Sequence, residues 1–363
     1  MNIGILGAGQ LGRMLALAGY PLGLSFRFYD EVPDAPAGQL APLVVGKFDD
    51  HAALDRFADG LDVITYEFEN VPVAAVRHLA QRIAVYPPAA ALDIAQDRVS
   101  EKKCFQSLGI QTAKFAAIDS EEDLKAAENS VGFPAVLKTR RMGYDGKGQA
   151  VVKSHTEATS AMHQMGGKGL ILESFVNFER EFSIIAVRST TGQTAVYPAV
   201  ENVHSGGILR QSIAPAPGVS KEHVAAACKH AEAVIKSLNY VGVLAIEFFC
   251  KKDGVAANEM APRVHNSGHW TIEGSRTSQF ENHLRAILGW PLGSTEMRSG
   301  QAGMINVIGG VPDADAVLRL GAHLHMYGKR PRAGRKLGHA TIVGNAIEES
   351  VRQLRAVIER TNC

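Results

Sequence analysis

NIGILGAGQLGRMLALAG, residues 2–19, places an apolar run, a glycine turn and a helical pattern in immediate succession. Residues 2–6 are strand-like, residues 7–12 have the form GxGxxG, and residues 13–19 read as a helix before a second strand at 25–30. A strand that feeds a helix and then another strand opens a parallel α/β sheet. The glycines let the backbone approach an anion, and the N–H groups at the helix start attract a phosphate. With Asp30 ending the second strand, the turn taken alone predicts a nicotinamide-dependent dehydrogenase. A phosphate of another kind, or a plain tight turn, satisfies the same residues.

The alternation continues outward from this stretch, with strands expected at 62–65 and 83–86, a helix after Pro72 and a helical segment over 97–108. A first domain, 1–100, is therefore expected to be Rossmann-like and doubly wound. A smaller unit, 101–176, follows, with strands near 113–118, 135–139, 149–153 and 170–173 around the loop 142–148, and it reads as a lid. The third unit, 177–363, carries strand-rich stretches around a helix at 221–238, an apolar strand at 243–249, a turn at Asp253-Gly254 and a strand to Met260. Beyond Gly300 come a strand at 304–308, a basic turn at 329–336 and a C-terminal helix.

Composition sets the outer bounds. The chain has 363 residues, enough for two or three self-supporting domains, and 46% hydrophobic with 21% charged residues is a globular balance. A formal net charge of +1 gives no bulk pull toward nucleic acid or membrane. Cys104, Cys228, Cys250 and Cys363 are scattered without zinc-site or disulfide spacing and read as free thiols in a reducing cytosol. Neither a signal peptide nor a membrane span is expected, so the chain is placed in the cytoplasm.

Four further clusters carry chemistry. Lys138 ends a strand just before RMGYDGKGQ, residues 141–149, where Gly143, Gly146 and Gly148 would let a loop fold over a triphosphate and Lys138 and Lys147 supply positive charge. A mobile basic hairpin tip is the plainer reading. Glu247 lies in the apolar strand VLAIEFF and Glu259 follows after a hairpin in AANEM. A carboxylate in so apolar a strand needs a partner, and a divalent cation shared by two cross-strand glutamates would serve both, magnesium being the economical choice. A salt bridge from Glu247 to an arginine would serve as well. Glu173, Ser174, Phe175 and Val176 end a strand near Glu181, where a strand edge could bind adenine and a glutamate could accept ribose hydroxyls. Lys329, Arg330, Arg332, Arg335 and Lys336 form a basic cluster that suits a local phosphate clamp better than a nucleic-acid face. The histidines of RVHNSGHW, residues 263–270, do not read as a zinc helix, because Asn266 and Gly268 interrupt them.

In order, Lys138, YDGKGQ, ESFV, the Glu247 and Asn258-Glu259 pair and HNSGH resemble an ATP-grasp ligase. GILGAGQLGRM at 4–14, TYEFENV at 65–71, APRVHNSGHWT at 261–271 and GRKLGH at 334–339 are similar to N5-carboxyaminoimidazole ribonucleotide synthetases, and the resemblance spans essentially the whole chain. It implies a three-domain ATP-grasp fold, α/β and α+β, with an N-terminal parallel-sheet domain, a lid and a C-terminal ATP-grasp domain. It also implies a carbon–nitrogen ligase of purine biosynthesis that carboxylates 5-aminoimidazole ribonucleotide with bicarbonate and ATP through carboxyphosphate, using Mg2+, as a homodimer. On this resemblance ATP is held by Arg98, Lys138, Gly143, Tyr144, Asp145, Gly146, Lys147, Gly148, Gln149, Glu173, Ser174, Phe175, Val176, Glu181, His204, Asn258 and Glu259, and the metal by Glu247 and Glu259. The aminoimidazole nucleotide takes Gln10, Leu11, Glu67, Tyr144, Asp145, Lys147, Lys329, Arg335 and Lys336, while Arg263 and Asn266 face bicarbonate or carboxyphosphate; Arg263, Asp145 and Lys147 are the implied catalytic residues. Lys147 stands where the family commonly has arginine and Ala333 where it commonly has proline, which weakens a bidentate contact at the first and turn rigidity at the second. A related ligase with another acceptor would keep Lys138, Glu247 and Glu259 without the GRKLGH and EFEN segments. A dinucleotide-binding protein would leave the acidic pair unexplained, and a silent nucleotide sensor is opposed by the completeness of the set.

Overall fold

A computed structural model describes residues 1–143 and 146–360. Among these residues the strands form three sheets. The first contains β1 (Asn2–Leu6), β2 (Ser25–Asp30), β3 (Leu43–Val45) and β4 (Val63–Tyr66) in the parallel order β3-β2-β1-β4. Chain order reverses between β1 and β4, so the crevice beyond their carboxyl ends is the switch point where such sheets hold ligands. Gly7–Gly9 and Glu67–Asn70 leave the sheet there. The expected strand at 83–86 is reduced to an isolated bridge from Val85 to Ile64. Pro87 and Pro88 follow at once and offer no N–H to extend the ladder.

The second sheet is the smaller layer, β5 (Phe115–Ile118), β6 (Ala135–Thr139), β7 (Gln149–Val152) and β8 (Leu170–Ser174), antiparallel in the order β5-β8-β6-β7. The helices Glu121–Val131 and His155–Gln164 cover it, and each is capped by a serine, Ser120 or Ser154, that accepts an N–H of the first turn. Their apolar stripes build a separate small core around Leu124, Leu137, Met162 and Leu172.

The third sheet is antiparallel throughout. It holds β9 (Arg180–Arg188), β10 (Thr194–Val196), β11 (Val200–Ser205), β12 (Ile208–Ala214), β13 (Gly242–Lys251), β14 (Gly254–Ala261), β15 (Gln301–Gly309), β16 (His323–Met326) and β17 (Arg332–Gly344), in the order β14-β13-β9-β11-β12-β15-β17-β16 with β10 on β9. The residues of the expected basic turn from Arg332 onward are thus the start of β17, where the register against β15 slips twice, at Ile308 and at Gly309. Such irregularities re-aim side chains. One face of the sheet packs under the helix Lys221–Ser237, and the other buries Ile185, Val243, Phe280, Leu284 and Trp270 in a core shared with Leu11, Leu15 and Phe26 of the first sheet's layer. That shared core fixes the first and third sheets against each other, and a cleft opens between them.

Candidate active site

The glycine turn is filled by the protein itself. Glu67, directly after β4, accepts N–H bonds from Gly9 at 2.7 Å, Leu11 at 3.0 Å and Gly12 at 2.9 Å. A Cβ on Gly9 would lie 2.4 Å from Glu67 Oε1, and one on Gly7, at φ 92°, would lie 2.6 Å from Glu67 Cγ and from Phe68. Both glycines therefore make room for a carboxylate and its strand, not for a pyrophosphate. Asp30 is occupied too, accepting from Ala8 N–H at 2.7 Å and Val32 N–H at 2.9 Å. The fingerprint that alone predicted a dinucleotide enzyme has its anion cradle and its ribose acid both satisfied internally. Burial raises the Glu67 carboxyl, against the lowering effect of the Gly12 and Gly9 N–H groups.

A cavity of about 560 Å³ occupies the cleft beside this turn. It brings together Gln10, Leu11 and Glu67 from the first layer, Arg98, Gly143 and Lys147 from the lid side, and Glu247, Glu259, Arg263, Asn266, Lys329, Arg335 and Lys336 from the third sheet. Thirteen of the residues expected at the site thus share one space, from segments more than 300 positions apart. Lys329 donates to the Gln10 side chain and stands 5.9 Å from the Tyr327 ring centre, which draws the basic segment against the glycine turn. Tyr144 and Asp145 lie outside the described residues.

Glu247 and Glu259, expected as possible cross-strand neighbours, are direct partners on β13 and β14, brought opposite each other by a register shift between Glu247 and Phe248. Glu259 pairs with Arg98 at 2.7 Å, so the arginine partner belongs to Glu259 and not to Glu247. Burial pushes both carboxyls up; for Glu259 the Arg98 guanidinium, with Lys138 and Lys102, outweighs it and holds the group low, whereas for Glu247 the Glu259 charge adds to burial and the group is raised. The neighbouring Asn258 Oδ1 is buried without a hydrogen-bond partner. Two cross-strand carboxylates facing one cavity are the hard oxygen donors that a divalent cation such as magnesium takes. Among the described residues no group of three or more His, Cys, Asp or Glu side chains is poised as a metal centre, so the protein alone does not complete such a shell.

Behind this pair lies a buried ionic network whose extent was not anticipated. Lys138 Nζ donates to Glu173 at 2.9 Å, Lys102 Nζ stands 3.4 Å from the same oxygen and donates to the Asn258 carbonyl at 2.8 Å. Burial pushes Glu173 up, but Lys102 and Lys138 together outweigh it and hold the carboxyl at about 2. Glu101 accepts from Met260 N–H at 2.6 Å, and burial, with Glu259 adding to it against Lys102, raises its carboxyl to about 8. Glu101 and Lys102 sit on the helix Arg98–Ser107, whose sequence RVSEKKCFQS resembles an ordinary exposed helix. Only the charge pattern on the facing strands, Glu173 and Glu259, could have signalled that two of its charges are buried.

The expected adenine segment is placed differently from a sheet edge. β8 is an interior strand, with Phe115 and Val136 flanking Glu173, and Phe175 N–H donates to the Pro134 carbonyl at 3.1 Å. Only the stretch after Ser174 offers backbone beyond the ladders, beside the stacked rings of Phe178 and Phe249, centred 4.6 Å apart. Glu181 and His204, on neighbouring strands, form an ion pair. Lys138, Gly146, Gly148, Gln149, the segment 173–176, Glu181, His204 and Asn258 lie outside the lining of the cavity. The loop nonetheless reaches over the third sheet: a Cβ on Gly146, at φ 75°, would stand 2.8 Å from the Gly206 carbonyl in the β11–β12 turn. Arg263 and His265 complete the floor, with His265 Nε2 3.9 Å from Glu247 and Asn266 exchanging two side-chain amide bonds with Asn306 at 2.7 and 3.0 Å.

Comparisons with known proteins agree with this architecture. Residues 1–96 match the model of the ribonucleotide synthetase preATP-grasp domain, 103–280 the ATP-grasp domain, and 302–353 the phosphoribosylaminoimidazole carboxylase C-terminal domain. The chain is 49% identical over 347 residues to an N5-carboxyaminoimidazole ribonucleotide synthase of Pseudomonas aeruginosa, covering 94% of each chain. It is similar to the crystal structure of the Thermus thermophilus synthetase, with 57% identity, a TM-score of 0.94 and 98% of both chains covered. It is also similar to an Aspergillus clavatus enzyme crystallised with ADP and 5-aminoimidazole ribonucleotide, at 31% identity and a TM-score of 0.91 over 99% of this chain and 98% of that one. With its preATP-grasp, ATP-grasp and C-terminal domain matches, a cleft that gathers its charged residues and this similarity along its length, the chain belongs to the N5-carboxyaminoimidazole ribonucleotide synthase family.

Proposed function

We propose that this chain carboxylates the exocyclic amine of 5-aminoimidazole ribonucleotide, using bicarbonate and ATP and releasing ADP and phosphate, in purine biosynthesis. The observation that carries the reading is the cleft itself, where a phosphate-binding cluster, an acidic pair and Arg263 face one cavity. Lys329, Arg335 and Lys336, with Gln10 beside them, receive the nucleotide's phosphate, since the glycine turn is already taken by Glu67. ATP lies under the lid loop against Arg98, Lys138 and the segment 173–176, with Glu181, His204 and Asn258 at its sugar and phosphate end.

Magnesium, when bound at Glu247 and Glu259, supplies charge neutralisation for the phosphate oxygens. Glu247 and Glu259 would hold the ion, and Arg98, which bonds Glu259 at 2.7 Å, would offer its remaining donors to phosphate. A bicarbonate oxygen attacks the γ-phosphorus and the bond to the bridging β,γ-oxygen breaks, giving ADP and carboxyphosphate. The amine nitrogen then attacks the carboxyl carbon, directly or as CO2 released from it; the carbon–oxygen bond to phosphate breaks and the amine loses a proton. Positioning and charge stabilisation are the protein's tasks, and no side-chain nucleophile is required. Carboxyphosphate hydrolyses readily, so closure of the loop around Gly146 over the β11–β12 turn keeps water out.

The reading includes a cytoplasmic homodimer, on the family resemblance; no helix among the described residues is long and apolar enough to cross a membrane. The experiment is phosphate release from ATP with bicarbonate, with 5-aminoimidazole ribonucleotide, glycinamide ribonucleotide or biotin as acceptor. Stimulation by the first alone supports the reading; stimulation by another moves the acceptor.

A further inference from the structure

Glu69 and Arg263 are 194 positions apart in sequence and meet across the cleft, Arg263 Nη2 donating to Glu69 Oε2 at 2.5 Å. Glu69 leaves the first sheet after β4, and Arg263 leaves the third after β14, so this ion pair joins the two walls. Arg263 Nη1 donates to the Val264 carbonyl at 3.0 Å, while its Nε is buried without a partner. Two of its nitrogens are thus tied to protein, and a third donor is withheld from water.

A guanidinium fixed before its anion arrives needs no reorganisation when charge develops, and that is where electrostatic stabilisation is largest. Glu69 is also only two residues beyond Glu67, which seats the glycine turn beside Gln10 and the Lys329 cluster. One short segment therefore touches both the nucleotide-phosphate end of the cleft and the arginine at its floor. We infer that Glu69 is the positioning residue of Arg263, holding its guanidinium toward the bicarbonate-derived anion. This rests on the reading above that Arg263 faces bicarbonate. Glu69 acts through the arginine and forms no bond with the reacting atoms.

The test is a double-mutant cycle in the full chain with Glu69→Ala, Arg263→Ala and the double variant, plus Glu69→Gln, which keeps an acceptor oxygen in place. The readouts are kcat and the separate KM values for bicarbonate, ATP and the aminoimidazole nucleotide. Loss of a hydrogen bond to a charged group predicts a fall in kcat/KM for bicarbonate of about 10- to 100-fold in Glu69→Ala, a smaller fall in Glu69→Gln, and KM values for ATP and nucleotide within about threefold of the parent. In the Arg263→Ala background, Glu69→Ala should add nothing. Equal losses toward all three substrates, or effects that multiply in the double variant, would overturn the inference while leaving the proposed function standing. Absence of aminoimidazole-dependent turnover in the parent protein would overturn both.

Discussion

Glu101, one helical turn beyond Arg98, is a buried carboxyl that accepts the Met260 N–H next to Glu259, and it is protonated more readily in the folded chain than in the unfolded one. Its folded value of about 8 stands above the ordinary 4.5, so the folded protein binds this proton more tightly than the unfolded one does. Its contribution to stability is therefore present below pH 4.5 and is lost as pH rises toward 8. Glu101→Gln keeps an acceptor for Met260 N–H and removes the proton, so urea unfolding of the substrate-free variant should lose less stability across that window than the parent; a slope as steep in the variant would contradict it. Gly9 makes a steric case at the same scale. Gly9→Ala sets a methyl 2.4 Å from Glu67 Oε1 at an ordinary negative φ, so its penalty is displacement of the carboxylate from its N–H donors. A destabilisation of about 1–3 kcal/mol is expected, read as a lower midpoint in urea. Gly9 and Glu67 also show where residue-level reading falls short, since the turn motif was legible but the partner that fills it lies 58 residues on and becomes apparent only once β1 and β4 are paired.

The β13–β14 hairpin carries the acidic pair on which the proposed function depends. The apolar strand and the Asp253-Gly254 turn made Glu247 and Glu259 candidates for cross-strand neighbours; the plain hairpin count would set Glu247 opposite Asn258, and the irregularity between Glu247 and Phe248 brings Glu259 there instead. The helix Arg98–Ser107 gave its start away through Asp97, which caps Val99 and Ser100, but not its burial, because lysine and glutamate are common on solvent faces. The strand end at 173–176 was placed at an edge because one strand in isolation carries no sign of having two neighbours; β5 and β6 supply them. For the hairpin, a cation must displace the proton that burial and the Glu259 charge hold on Glu247. Magnesium affinity in the presence of ADP should accordingly rise with pH until Glu247 ionises, and Glu247→Gln should bind the metal weakly with a flatter pH response. Affinity independent of pH in the parent would remove Glu247 from the metal site.

At the scale of the whole molecule, function depends on a cleft between layers that share one core. The three-unit plan was legible because each unit has its own period: parallel strand–helix alternation first, then a small layer around a glycine loop, then long alternating strands. The contact between Lys329 and Gln10 was suggested only by family resemblance, since residues 319 positions apart leave no local pattern. Glu259→Gln tests the assembled site as a unit. Glu259 is a metal carboxylate in the proposed function and the partner of Arg98, so the substitution should abolish phosphate release while circular dichroism shows the fold retained. Unchanged turnover would withdraw the magnesium assignment. The most direct measurement of the central claim is phosphate release from ATP in magnesium and bicarbonate, with and without 5-aminoimidazole ribonucleotide. The account predicts release that depends strongly on that nucleotide and yields its N5-carbamate; ATP turnover indifferent to it, or none at all, would contradict the account.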